Sequence, residues 1–561
     1  MKRVVLTLCL SYFFNHSYGQ DIETIAKKPK ELIKLNGSVS VGSWFYNANG
    51  IENRRTPFSW YLSGAPTITL AGFAMPFSAT ISEQDRSFQQ PFNQIGVSPY
   101  YKWVKLHLGY RNIVFNDYTL GGATFLGAGI ELTPKKFKLA AFYGRLRRAI
   151  DEDASLQFTV LPSYKRMAKG LKVGYGSAVN FFELSVLNSR DVLNSANISN
   201  ESFIRPEDNL VIGIKQQWQV FKKISFGADA AVSAITYNKL LGTENLDSLG
   251  KDAAKFGFIN DYLFINASSL AKLAGHVFAN YQAKNWSVKI MSRMVEPDFI
   301  SHGANFIQDD ILQHTVSPSF SLFKQRVNLG LSGGLQRDNL DNKKRATTER
   351  VIGSANINFR PLKRMIAMLS YSNYGTNQSS GNIQLNDSIR MSLINASYNT
   401  SLAYQLPGKK TSSQISFNFQ KSDVLDRNEL TRKFSQSNIH FYNLNYSLGV
   451  NKIKTNFTIG GNLSDVVAYQ NKVRALGAVL GFNKTFFKNK LRLNSSFNYQ
   501  IRSVNASSNG YIFGNNTDIN IQIKNKHQIG FGIGFMKNTT SVNSLRVFNE
   551  QRARFNYGFN F

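Results

Sequence analysis

The chain has 561 residues, with 66 Lys or Arg against 35 Asp or Glu, a formal charge of +31 and a mean hydropathy of −0.25. After the first twenty residues there is no run of 18 or more apolar residues, which excludes helical membrane spans, and a single cysteine excludes a disulfide-stapled fold. Aromatic residues still make up 13% of the chain while Pro occurs only 13 times, a combination that suits strands needing every backbone N–H.

Lys2 and Arg3 precede a mostly apolar stretch at 4–14, and Ser17-Tyr18-Gly19 offers a small-residue cleavage site before Gln20. This pattern predicts a secretory signal peptide over 1–19. Cys9 comes too early, behind the bulky Leu8, for a lipoprotein signal, and cleavage leaves a mature chain without thiols. Residues 20–34 read as a short periplasmic lead. From Leu35 onward apolar and polar residues take turns, beginning with Val39 and Val41 around Ser40. Val104, Leu106, Leu108 and Tyr110 alternate with Lys105, His107, Gly109 and Arg111. Further on, Leu444, Tyr446 and Leu448 alternate with Asn445, Ser447 and Gly449, and Phe497, Tyr499 and Ile501 with Asn498, Gln500 and Arg502. Side chains of a strand point alternately to its two faces, so each segment has one greasy and one wet face. The segments run about ten residues, the length of a tilted membrane strand.

Short connections such as Lys488-Asn489-Lys490 trade places with longer polar stretches at 47–56, 188–208, 242–254, 337–350, 374–386 and 423–437. Membrane barrels separate their two sides in this way. The expected fold is all-β: a single large transmembrane antiparallel β-barrel over 35–561, with about 22–26 strands at ~40 residues per hairpin. The lead at 20–34 is too short for an N-terminal plug domain, so none is expected. A barrel this wide must then fill its lumen with inward loops or bulky side chains.

In an exported barrel the excess of base reads either as rim residues meeting lipopolysaccharide phosphates or as a basic lumen that selects anions. Nucleic acid is not expected as a partner. The lumen candidates are Lys105, His107, Arg111, Arg492, Arg502, Arg552 and Arg554, each on the polar face of an alternating strand. None of the six histidines after the signal has metal-ligand spacing, so neither a metal nor another cofactor is expected. Ser301 and His302 form the tightest Ser/His pair, but neighbours on an extended chain point apart, so a catalytic pairing is not expected. The surrounding segment 296–304, with its Pro-Asp and Gly-Ala pairs, reads as a loop or an inward constriction.

At the C-terminus Phe555, Tyr557, Phe559 and Phe561 alternate with Asn556, Gly558 and Asn560. This ending resembles the recognition signal of bacterial outer-membrane barrels that is read by the barrel-insertion machinery. Together with Gly96-Val97-Ser98-Pro99-Tyr100-Tyr101-Lys102-Trp103 and Phe125-Leu126-Gly127-Ala128-Gly129, the chain resembles uncharacterised porin-like outer-membrane barrels of the Bacteroidota. Asp247-Ser248-Leu249 and Asp387-Ser388-Ile389 are similar to the O-glycosylation sequon of that phylum. The resemblance implies the cell outer membrane, with lipid, lipopolysaccharide and other outer-membrane or periplasmic proteins as partners. For function the expectation is first a passive channel with a basic, anion-favouring lumen that is not an enzyme, then an accessory or assembly barrel of a surface-export or uptake complex such as the type IX machinery, and last a lipid-modifying enzyme.

Overall fold

The computed structural model describes residues 33–83, 93–152, 161–199, 201–242, 262–304, 307–344, 346–380, 392–539 and 547–561. The expected signal peptide, most of the 20–34 lead and both Asp-Ser triplets lie outside these residues. The described residues form one antiparallel sheet of 29 strand segments. Three junctions are breaks within a single strand: Ile33–Asn36 continues as Ser38–Asn49, Phe58–Gly64 as Thr67–Leu70, and Gln94–Val97 as Tyr100–Tyr101. The wall therefore has 26 strands, within the expected range.

Each strand pairs with the next in sequence, and the last returns to the first. Ser38–Asn49 pairs along its whole length with Phe548–Asn560, from Ser38 opposite Asn560 to Asn49 opposite Asn549. Among the described residues no strand is left at a free edge, which is the condition for a sheet to stand in hydrocarbon. The seam is tight at its lower end. Phe561 and Gly37 exchange backbone hydrogen bonds of 3.1 and 3.3 Å. Gly37 sits at φ +137°, and a Cβ there would lie 2.4 Å from the Ala65 carbonyl oxygen.

One face of the wall carries exposed apolar side chains all the way round, among them Leu108, Leu171, Val232, Ile290, Leu444 and Ile533. This is the outer, lipid-facing surface of a membrane barrel. The hairpin turns at the end nearest both termini are short, and several place consecutive Phe and Lys residues at positive φ, as at Phe221-Lys222 and Phe323-Lys324. Positive φ at both central residues matches the twist of the flanking strands. Connections at the opposite end are mostly longer, and two of them turn inward.

Gly37→Ala should lower the temperature at which the barrel loses its compact mobility in detergent gels, because the new Cβ meets backbone and the φ is strained, costing about 1–3 kcal/mol. An unchanged transition would show that the seam does not depend on Gly37.

Candidate functional site: the lumen and its inward loops

Two connections leave the wall and pack against its inner face. Residues 113–123 follow the strand Val104–Asn112, and residues 296–304 and 307–310 follow Trp286–Val295. They meet each other: Leu120 bridges Gly303, Gly121 N–H donates to the Gly303 carbonyl at 2.9 Å, and Ser301 Oγ donates to the Thr119 carbonyl at 2.7 Å. The first loop is shaped by Asn116, whose Oδ1 accepts from the backbone N–H of both Tyr118 and Thr119, a local turn typical of Asn.

Beneath this pair lies an apolar core. Ile113, Phe115, Leu120 and Phe299 pack with Phe125, Phe142, Leu187, Val211 and Val295 of the wall. The Phe125 and Phe142 rings lie 4.7 Å apart, and Tyr118 meets Phe299 edge-on at 6.3 Å. Small wall residues make room, with Ala140, Ala168, Ala231 and Ala274 all buried in the same cluster. Fully burying side chains of the Phe, Leu and Val class stabilises by about 1.5–3 kcal/mol each. The insert is therefore a packed part of the fold and covers the inner face along one arc of the barrel.

Its polar anchor is His302. The ring Nδ1 lies 2.8 Å from Ser189 Oγ, Nε2 lies 3.0 Å from Glu207 Oε2, and the His302 N–H donates to Asn209 Oδ1 at 3.1 Å. Glu207 also pairs with Arg166, which grips Asp191 through two hydrogen bonds of 2.7 and 2.8 Å. Burial pushes the His302 imidazole down to about 4, the Arg166 charge adding to this and Glu207 opposing it. Burial works against ionisation of Glu207, but the His302 hydrogen bond and the Arg166 charge outweigh it and hold the carboxyl at about 2. Near neutrality the imidazole is thus uncharged, accepting from the Ser189 hydroxyl and donating to an ionised Glu207. A second anchor joins the tip of the first loop to the wall: Asp117 N–H donates to Asp229 Oδ2 at 3.3 Å, Lys215 pairs with Asp229 at 3.3 Å, and the Tyr118 hydroxyl lies 3.2 Å from His276 Nδ1.

The segment 296–304 is the inward element its sequence suggested. Ser301 and His302 do not meet; each is engaged by a different partner. The serine that His302 does face, Ser189, is buried at 1% exposure. Neither 113–123 nor the Ser189–His302–Glu207 contact was singled out from the sequence; the contact joins His302 to residues 113 and 95 positions away.

From Ile311 to Asn560 the packed connections lie at the loop end, where 338–344 closes on Asp310 and Thr431 and Ser435 donate to Asp426; none of this arc's connections belongs to the apolar core of the insert. The arc's inner face is rich in Asn, Ser, Thr, Gln and Gly, with the arginines described below and a few apolar residues such as Phe441 and Val479 among them. A Cβ built on Gly460, Gly477, Gly514 or Gly530 would fall 2.0–2.5 Å from the side-chain oxygen of Asn445, Asn462, Asn498 or Asn556. These amides lie flat over the bare backbone of the neighbouring strand, which keeps the wall smooth.

The lumen candidates divide into paired and unpaired groups. Lys105 is held by Glu131 at 3.0 Å. His107 corrects its expected role: it is only 2% exposed, locked between Ser98 Oγ at 3.1 Å and Glu131 at 2.7 Å, and does not line the bore. Arg111 donates to Ser78 Oγ at 2.8 Å and to the Pro76 carbonyl at 3.3 Å. Arg554 pairs with Asp518 at 2.7 Å and lies over the Trp44 ring. Arg492, Arg502 and Arg552 have no ion-pair partner among the described residues. The terminal aromatics Phe555, Tyr557 and Phe559 occupy the outer face opposite Ser43, Val41 and Val39. Phe555 packs on Phe531 at 5.1 Å, and Phe559 lies 5.5 Å from Phe561.

No protein-family model matches the chain, and no curated protein matches it. Solved structures do match. The P pilus usher PapC translocation pore is 11% identical over 94% of this chain and 100% of that one, with a TM-score of 0.37. The FrpB iron transporter of Neisseria meningitidis is 11% identical over 93% and 81%, with a TM-score of 0.36. OccAB2 of Acinetobacter baumannii is 10% identical over 64% and 92%, with a TM-score of 0.29. At these identities and scores nothing about binding or transport passes to this chain.

Acid should loosen the insert. His302 titrates near 4 when seated and near 6.5 when free, so the seated form loses stability as pH falls from 6.5 towards 4, by on the order of 3 kcal/mol. Glu207, depressed from 4.5 to about 2, acts in the same direction below pH 4.5. Single-channel conductance recorded from pH 7 to pH 4 should rise or become noisy in wild type, with a weaker step in His302→Gln. Identical profiles for the two proteins would remove His302 as the anchor.

Proposed function

We propose that the protein is a passive channel of the bacterial outer membrane whose lumen favours anions. The observation that carries this reading is the half-covered bore. One arc of the inner wall is packed by the insert, while the arc from Ile311 to Asn560 lies outside its apolar core and is largely polar. Water and small polar solutes can move along such a wall because its amides offer hydrogen bonds without a binding cage. The unpaired Arg492, Arg502 and Arg552 add positive charge on that side, where it meets solute directly. The paired Lys105 and Arg554 contribute less, since each has a carboxylate beside it. The apolar outer face and the closed ladder support a bilayer setting, and the absence of free strand edges among the described residues supports a wall that stands without a partner chain.

The test is reconstitution of the full chain in a planar bilayer under a salt gradient. Wild type should give discrete conductance steps and a reversal potential of anion-preferring sign. Arg492→Glu with Arg552→Glu should move the anion/cation permeability ratio towards cations by roughly twofold or more. Gly514→Leu, which displaces Asn498 from the wall, should lower unitary conductance and leave the sign of selectivity unchanged. A sealed membrane overturns the reading.

A further inference from the structure

The net charge of this chain is gathered at one end of the barrel. Twelve hairpin turns lie at the end nearest both termini: 71–72, 102–103, 133–136, 177–180, 221–223, 283–285, 323–326, 360–364, 407–410, 451–454, 487–490 and 524–526. They contain nineteen Lys or Arg and not one Asp or Glu, against a net charge of +31 for the whole chain. None of the nineteen has an ion-pair partner among the described residues. Acidic residues are instead found in connections at the opposite end, among them Asp117, Glu207, Glu296 and Asp310, where most are tied to bases or backbone N–H groups. The end nearest the termini is thus an unopposed cationic ring.

The same turns carry large apolar side chains aimed outward. Phe221, Phe323 and Phe487 are 73–86% exposed, and Trp103, Trp218 and Trp286 are exposed at the same level of the wall. Phe487 and Lys488, like Phe221 and Lys222, are consecutive residues of one tight turn. An aromatic side chain beside a long flexible cation fits the boundary of a bilayer, with the ring among acyl chains and the ammonium reaching a phosphate. A soluble acidic protein would need the cations but would leave the Phe rings in water.

We propose that this ring seats the phosphate headgroups of anionic phospholipids in the leaflet nearest the termini, with the turn Phe residues inserted among their chains. The proposal rests on the lipid-facing reading of the outer wall and is independent of what the bore conducts. It also places the basic rim at the short-turn end, which in membrane barrels is the periplasmic one, away from the lipopolysaccharide leaflet. Nineteen cations on a ring attract several headgroups at once, and exposed charges of this kind are screened as salt rises.

Native mass spectrometry of the full chain in neutral detergent tests it, with added phosphatidylglycerol or phosphatidylcholine of identical acyl chains. Wild type should hold several phosphatidylglycerol molecules, at least fivefold more than phosphatidylcholine, with the preference shrinking at higher ammonium acetate. A variant with Lys409, Lys410, Lys488, Lys490, Lys524 and Lys526 all changed to Gln should lose most of that preference and keep its conductance. Gln325 already occupies a positive-φ position of such a turn, so glutamine is compatible with the backbone. Equal retention of the two lipids by wild type overturns the proposal, and that comparison does not depend on the variant folding. Binding of poly-glutamate without any phosphatidylglycerol preference overturns it too, in favour of an acidic protein partner. A barrel that conducts but shows no headgroup preference sinks this inference and leaves the channel reading standing.

Discussion

Closure of the hydrogen-bond ladder is the constraint from which the rest of this molecule follows. In hydrocarbon each unpaired backbone group costs several kcal/mol, so a sheet can cross a bilayer only if its first strand meets its last. Here that meeting is made by Ser38–Asn49 with Phe548–Asn560. Closing 26 strands has a consequence of its own. Barrel diameter grows with strand number, and side chains alone fill the interior only at about eight strands. A wall this wide has more bore than its own side chains can occupy, and the chain answers with the insert, bringing 113–123, 296–304 and 307–310 inward along one arc.

The wall was legible in the sequence because a period of two is local: Phe497, Tyr499 and Ile501 point outward whatever happens elsewhere. The insert was legible only in part. Segment 296–304 announced itself through Pro297, Gly303 and their neighbours, whereas 113–123 reads as an ordinary loop. A signal for it did exist, in the wall it packs against. Leu139, Ala140, Ala141, Phe142 and Tyr143 are apolar at every position, and so are Leu210, Val211 and Ile212. Where the wet face of a strand turns greasy, something other than water must cover it. The partners of His302 were beyond reach for a different reason, since Ser189 and Glu207 are brought to it by topology and not by spacing.

Net charge alone left two places for the basic residues, the rim and the lumen. The turns give the rim a large share, because nineteen of the 66 bases stand at one mouth. Of the bases that face the bore, some are neutralised and others, Arg350, Arg492, Arg502 and Arg552 among them, have no ion-pair partner among the described residues. Lys138 is tied to Glu183 at 2.8 Å, Lys215 to Asp229 and Arg554 to Asp518. Selectivity in such a lumen depends on the few cations without a carboxylate beside them, since an exposed pair presents little net field to a passing ion.

The strands differ in length, shortest around the first inward loop and longest between 411 and 523. On the covered side the strands Val104–Asn112, Thr124–Leu132 and Phe137–Arg147 have 9, 9 and 11 residues, about what a bilayer crossing requires. Further round the wall Thr411–Asp426, Asn471–Phe486 and Ser507–Ile523 have 16, 16 and 17. Five or six further residues on a tilted strand raise the wall by roughly 12 Å. The extra height lies at the loop end, because there the outer face turns polar. Lys421 pairs with Asp423 at 2.9 Å and Arg474 with Asp465 at 2.7 Å, on a surface that is elsewhere apolar. Ion pairs on the outside of a barrel mark where lipid stops. The upper ends of these long strands therefore stand in water, and at the same end the insert is capped by Arg147, Arg166, Asp191 and Glu207.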